Sequence, residues 1–204
     1  MSKKSPRIAV AISGSGRSLE NLTRHQNNGY EVAAVISSST SCPGFAIARS
    51  LALPIFVADF RHMPSGGEGA EILFAWLAQH QIKLVALAGF LKPFPCRKDW
   101  NNRVINIHPA QLPKFGGKGM YGMKVHRAVL AAGERESGAT IHFVNEIYDS
   151  GAIIAQSKIA ITAQDTTESL ANRVFISECQ MYPVDITEIL TGKLPFADGK
   201  IRHF

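Results

Sequence analysis

Cysteine is scarce in this 204-residue chain: Cys42, Cys96 and Cys179 are its three, and no two stand at metal-ligand or redox-motif spacing. An odd, sparse set suits a reducing cytoplasm better than secretion. The seven histidines are equally scattered, so the sequence offers no metal site. No apolar run approaches the ~18 residues that a membrane span requires. The short run after Arg7 leads into glycines, which reads as a strand entering a loop and not as a signal peptide. There is no long Lys/Arg block, no alternation of basic and aromatic residues, no internal repeat and no low-complexity segment. The net charge of +6 therefore points to small anions, phosphates or carboxylates, and away from a nucleic-acid groove.

What is present suits one globular domain over residues 1–204. Hydrophobic residues make up 46% of the chain, enough for a real core, and 19% charged residues argue against disorder. Residues 8–12 are a continuous apolar run, as in a strand buried on both faces of a parallel sheet. Ser13-Gly14-Ser15-Gly16-Arg17-Ser18 follows, then a helical segment from 19 to about 28. A strand, a glycine-rich turn and a helix start make an anion site from outward-facing N–H groups and the helix dipole, to which Arg17 and Ser18 can add donors. The turn is neither a Walker loop nor a full dinucleotide fingerprint, and a glycine turn serving packing alone is the plain alternative.

Strands are expected at 32–37, 55–57 and 83–88, with helices at 43–51 and 70–80 and a loop at 59–69. This alternation predicts an α/β, doubly wound, mostly parallel sheet, in which ligands bind beyond the carboxyl ends of the strands. Val104-Ile105-Asn106-Ile107-His108-Pro109 reads as a further strand stopped by proline. Alternation puts Asn106 and His108 on one face at a strand end, an amide beside an imidazole. Residues 109–121 form a glycine-rich loop that can serve as a lid, and 125–132 a helix. Runs at 139–144 and 153–161 read as two neighbouring strands, compatible with antiparallel pairing, joined by a polar turn that holds Asp149. A turn Asp ordinarily bonds its own backbone; the functional reading is a carboxylate that orients and charges His108. A long helix from a cap at Asp165 to about 190 is expected to kink or break at Pro183. Glu178 lies on it, where a Glu is ordinarily solvated.

Together these residues resemble the glycinamide ribonucleotide (phosphoribosylglycinamide) formyltransferase family of purine synthesis. The resemblance covers nearly the whole chain. It rests on Ser13-Gly14-Ser15-Gly16, Ala88-Gly89-Phe90-Leu91-Lys92, Asn106-Ile107-His108-Pro109 with Leu112-Pro113-Lys114, His126-Arg127-Ala128, Gly138 to Val144 with Asp149-Ser150-Gly151, and Glu178 with Tyr182-Pro183. It implies a formyltransferase fold, a Rossmann-like sheet with an antiparallel C-terminal addition. It implies formyl transfer from 10-formyltetrahydrofolate to the amine of glycinamide ribonucleotide, without a metal, by a cytoplasmic monomer or homodimer with small-molecule partners only.

Residue by residue, Asn106, His108 and Asp149 match the family's catalytic trio. Gly14, Ser15, Gly16, Arg17 and Ser18 match its phosphate-holding turn, Glu178 its contact near the acceptor amine, and Arg61, Leu91, Lys92, Pro93, Phe94 and Asn106 its folate contacts. Arg17 and Ser18 stand where the family usually has Ser or Thr and then Asn, Gln111 where Leu is common, and Lys92 where Arg is frequent. The expected chemistry has Asn106 and a protonated His108 stabilising a formyl oxyanion, with Asp149 raising the His108 pKa. A formyltetrahydrofolate deformylase would be expected to carry a further N-terminal domain, and a methionyl-tRNA formyltransferase a further C-terminal one. A nucleotide-binding module without chemistry would use the glycine turn alone.

Overall fold

The computed structural model describes residues 5–58, 67–193 and 202–204. Strand β1 (Arg7–Ile12) lies at its centre and is buried on both faces beyond its first residue. Side-chain alternation divides it: Ile8, Val10 and Ile12 enter one core, and Ala9 and Ala11 the other. Parallel strands β2 (Glu31–Ser37) and β3 (Ile55–Val57) extend the sheet on one side of β1. On its other side come β4 (Ile82–Leu87) and β5 (Val104–His108), also parallel. The order of the strands thus reverses at β1, and a crevice opens between the loops that leave β1 and β4.

The helices α1 (Arg17–Arg24), α2 (Pro43–Ser50) and α3 (Glu68–Gln79) follow the first three strands. Helix α3 buries Leu73, Phe74 and Leu77 with Ala9 and Ala11, while Leu19 and Leu22 of α1 join Ile8, Val10 and Ile12. Helix α1 is shorter than expected: it ends at Arg24, and a separate 3-10 turn spans Gln26–Asn28.

Beyond β5 the chain changes character. Helix α4 (Met123–Ala131) leads to the two-residue β6 (Glu136–Ser137), then to β7 (Thr140–Phe143) and β8 (Ile153–Gln156). Strand β7 pairs antiparallel with β8, as the polar turn between the two runs suggested, and also with β5. The expected single strand over 153–161 divides at Ser157, whose hydroxyl accepts the Ala139 N–H at 2.8 Å. Its remainder, β9 (Ile159–Ala160), leaves the main sheet to pair with β6. Strand β10 (Arg202–His203), in a tail without sequence motif, adds to the edge beside β8, so eight strands run β10-β8-β7-β5-β4-β1-β2-β3.

The last helix, α5 (Thr167–Thr191), corrects two expectations. Its cap is Thr166, in a reciprocal capping box with Ser169, while Asp165 accepts the Ser169 hydroxyl and the Thr162 N–H and pairs with Arg173. The helix also runs unbroken through Pro183. A helical proline deprives the carbonyl four residues earlier of its donor, and here that carbonyl, of Cys179, accepts the Asn21 side-chain amide at 2.9 Å. Tyr182 then ties α5 to the sheet, its buried hydroxyl donating to the Leu87 carbonyl at 3.0 Å.

Candidate active site

The switch-point crevice is the mouth of a cavity of about 630 Å³. One wall comes from the loop after β1: Gly14, Ser15, Gly16, Arg17 and Ser18 all line it. Gly16 caps α1 with φ +83°, and a Cβ there would stand 2.8 Å from the Gly44 Cα. Only glycine fits, and no side chain caps the helix, so its first N–H groups stay open to an anion. Ser13, just below, accepts from the Ser38 hydroxyl at 2.8 Å and from the Leu91 N–H at 3.0 Å, pinning the loops of three strands together.

The far wall is built on β5 and β7. The β5–β7 register pairs Asn106 with His142 and His108 with Thr140, so all four side chains share a face. Over that face the turn between β7 and β8 folds Asp149 inward. Asn145 organises the turn, its side-chain oxygen accepting from the Ile147 N–H and the Ser150 hydroxyl, both at 3.0 Å. Asp149 itself has φ +55°, a left-handed conformation that costs a non-glycine residue energy. It is held there partly because the chain turns back at Gly151, where a Cβ would meet the Phe143 carbonyl oxygen at 1.8 Å.

Asp149 is the hub. Its Oδ2 is 3.5 Å from His108 Nδ1 and accepts the Gly117 N–H at 2.9 Å; its Oδ1 is 3.4 Å from His142 Nε2 and 3.5 Å from Asn106 Nδ2. Asn106 also donates to His142 Nε2 at 3.1 Å. The side chains of His108, His142 and Asp149 are 4%, 2% and 11% exposed, so these contacts act in a poorly screened setting. Carbonyls fix both imidazoles. His108 Nε2 is 2.8 Å from the Phe115 carbonyl, an acceptor only, so Nε2 carries the hydrogen and Nδ1 is the open nitrogen toward Asp149. His142 Nδ1 likewise donates to the Phe143 carbonyl at 2.7 Å, leaving Nε2 for Asn106.

Burial reverses the expected charge of His108. It pushes the imidazole pKa below its ordinary value of 6.5, and the Asp149 charge that opposes it is the weaker influence. In the free protein His108 is therefore neutral at pH 7. Burial also works to raise the Asp149 carboxyl, but the facing His142 and His108 rings, when charged, and the Gly117 N–H outweigh it and hold the group below its ordinary range.

Helix α5 closes the cavity with Ala171, Phe175 and Glu178. Glu178 is part-buried, not a solvated face residue, and burial pushes its carboxyl up to about 8 against the lowering charge of Arg17. Leu91 lines the main cavity, and Lys92, Pro93 and Phe94 line a smaller pocket that shares Phe90, Asn106, Tyr148 and Asp149 with it. Phe94 is 6% exposed and packs edge-on against Phe74 and Phe90, so it is a core residue that also walls the pocket. Arg61 lies outside the described residues. The glycine-rich loop after β5 does reach the cavity, through Gly117, Lys118, Gly119, Met120 and Tyr121. Sequence reasoning gave no role to His142 or to the Phe115 carbonyl; an antiparallel pairing of β5 with β7 would have found the former. Among the described residues no group of His, Cys, Asp and Glu is arranged to hold a metal ion.

This arrangement can polarise a carbonyl with an amide, accept a proton at a buried imidazole and hold an anion at a helix start. Comparison with known proteins agrees with that chemistry. Residues 6–186 match the formyl transferase family. The chain is 41% identical over 182 residues to the chloroplastic phosphoribosylglycinamide formyltransferase of Arabidopsis thaliana, covering 86% of this chain but 62% of that protein. It is 31% identical to the phosphoribosylglycinamide formyltransferase of Haemophilus influenzae, covering 95% of this chain and 91% of that one. The crystal structure of phosphoribosylglycinamide formyltransferase from Anaplasma phagocytophilum superposes with a TM-score of 0.83 at 30% identity, covering 98% of this chain and all of that one.

Proposed function

Since this chain belongs to the phosphoribosylglycinamide formyltransferase family, we propose that it transfers a formyl group from 10-formyltetrahydrofolate to the amine of glycinamide ribonucleotide in purine synthesis. The observation that carries the reading is the convergence of Asn106, His108 and Asp149 at one end of a cavity whose other end is an open helix start. The two ends suit an acceptor with an amine to react and a phosphate to hold.

10-Formyltetrahydrofolate supplies the formyl carbon, and Leu91 with the Lys92-Pro93-Phe94 pocket offers it an apolar wall and one cation. Asn106 turns one N–H from its 3.5 Å contact with Asp149 to the formyl oxygen as negative charge builds there. His108, neutral beforehand, takes the proton of the attacking amine at Nδ1. Asp149 stabilises the imidazolium so formed and, through water, passes protons toward the departing nitrogen. The phosphate rests on the Gly14–Ser18 turn, and Glu178 lies near the glycinamide group. This revises the expected role of His108, from a standing cation to a proton acceptor whose charge appears during the reaction. The sparse cysteines, with no pair at redox-motif spacing, support a reducing, cytoplasmic setting.

The test is an assay of purified protein with 10-formyltetrahydrofolate, with and without glycinamide ribonucleotide. Tetrahydrofolate release that requires the amine supports transfer. Equal release without it identifies a hydrolase and overturns the reading.

A further inference from the structure

Arg17 is exposed at the cavity edge, yet it is not a freely waving cation. Its guanidinium carbon sits 4.0 Å over the centroid of the Phe175 ring on α5. Among the described residues it has no carboxylate at ion-pair distance, although Glu178 lies one turn beyond Phe175 on the same helix and lines the same cavity. An aromatic face attracts a guanidinium, and a stacked guanidinium keeps its N–H donors available for two parallel bonds to an oxyanion. Lysine, a point charge, would lose that fork. The two residues come from elements 158 positions apart, α1 and α5, whose neighbouring contact is the Asn21 amide on the Cys179 carbonyl. The geometry points to a built arm: α5 sets Phe175, Phe175 seats Arg17, and Arg17 faces the ligand.

We propose that Phe175 is a positioning residue that seats Arg17 for two-point recognition of the acceptor's phosphate, so that this chain uses a stacked side chain, beyond the loop backbone, to demand a phosphorylated acceptor. The proposal rests on the function given above and adds to it which side chains impose the phosphate requirement. It makes Phe175 matter only through Arg17.

A double-mutant cycle tests this, read in two assays. In steady-state turnover, Arg17→Leu should raise the KM for the phosphorylated acceptor about 30-fold, the size of charge-assisted hydrogen bonds lost, with the folate KM unchanged. Phe175→Leu should raise the acceptor KM about 5-fold with kcat little changed, and Phe175→Trp should restore it. In the Arg17→Leu background, Phe175→Leu should add nothing. Calorimetric titration with ribose 5-phosphate, which needs no formyl chemistry, should give the same pattern in Kd. If Phe175→Leu has no effect, or an equal effect with and without Arg17, the proposal is overturned even though formyl transfer proceeds. If no amine is formylated but ribose 5-phosphate binding shows the cycle, the arm stands and the assigned reaction falls. Circular dichroism of each variant separates these outcomes from misfolding.

Discussion

The two walls of the cavity hold their polar groups in opposite ways. The wall after β1 presents a glycine turn, the open N–H groups of α1 and an exposed guanidinium on a ring. Its polar groups meet water until a ligand arrives, so each costs little to maintain. The wall on β5 and β7 buries an aspartate, two histidines and an asparagine in one connected web, roofed by Phe115 and Gly117. Buried polar groups are costly when one partner is removed, because the others lose water and partner together. A binding wall tolerates change; a reaction wall does not.

The sharpest way to break that contrast is Asp149→Ala. It should lower turnover on the order of 100-fold or more, because the amine's proton would then generate an uncompensated imidazolium. Steady-state assay of protein with an unchanged circular dichroism spectrum checks this; a fall under 10-fold would make the buried web dispensable. Next in size is Gly151→Ala. A methyl group cannot occupy a point 1.8 Å from the Phe143 oxygen, so the turn that carries Asp149 must move. A loss of about 3 kcal/mol or more in urea unfolding is expected, together with lost activity. On the binding wall Ser13→Ala removes one hydroxyl that joins three loops and should cost about 1 kcal/mol, with the KM for acceptor raised and kcat nearly intact.

The effect furthest from turnover concerns pH. Burial raises Glu178 from its ordinary 4.5 to about 8, so the folded state keeps a proton that the unfolded chain releases. Stability is therefore lost as pH rises between those two values. Glu178→Gln should melt at the wild-type temperature near pH 4.5 and above it near pH 8. Parallel melting curves across that range would show that the carboxyl is not held protonated.

The two walls also differ in how well the sequence exposes them. The parallel half is local: each strand is an apolar run, and the turns after β1 and β4 carry glycines. The 8–12 run and the Gly14–Ser18 turn therefore appear in the structure nearly as read. Asn106 and His108 were equally legible, because period two on one strand suffices. His142 was not, since its place opposite Asn106 depends on a cross-strand register that no local pattern encodes. The charge of His108 was misread for a related reason. Proximity to Asp149 is a pairwise idea, whereas burial sums over everything packed around the ring. The cap at Thr166 and the continuity of α5 through Pro183 depend likewise on partners, Ser169 and Asn21, that supply the missing bonds.

The central claim is that His108 begins the reaction neutral and carries charge, opposite Asp149, only while the reaction proceeds. Its most direct measurement is a pH titration of the ring nitrogens of His108 by NMR in the free, nitrogen-15-labelled protein, assigned by loss of the signal in His108→Ala. The account predicts a pKa below 6.5, with the hydrogen on Nε2 at pH 7. A ring still protonated at both nitrogens at pH 7 would contradict it.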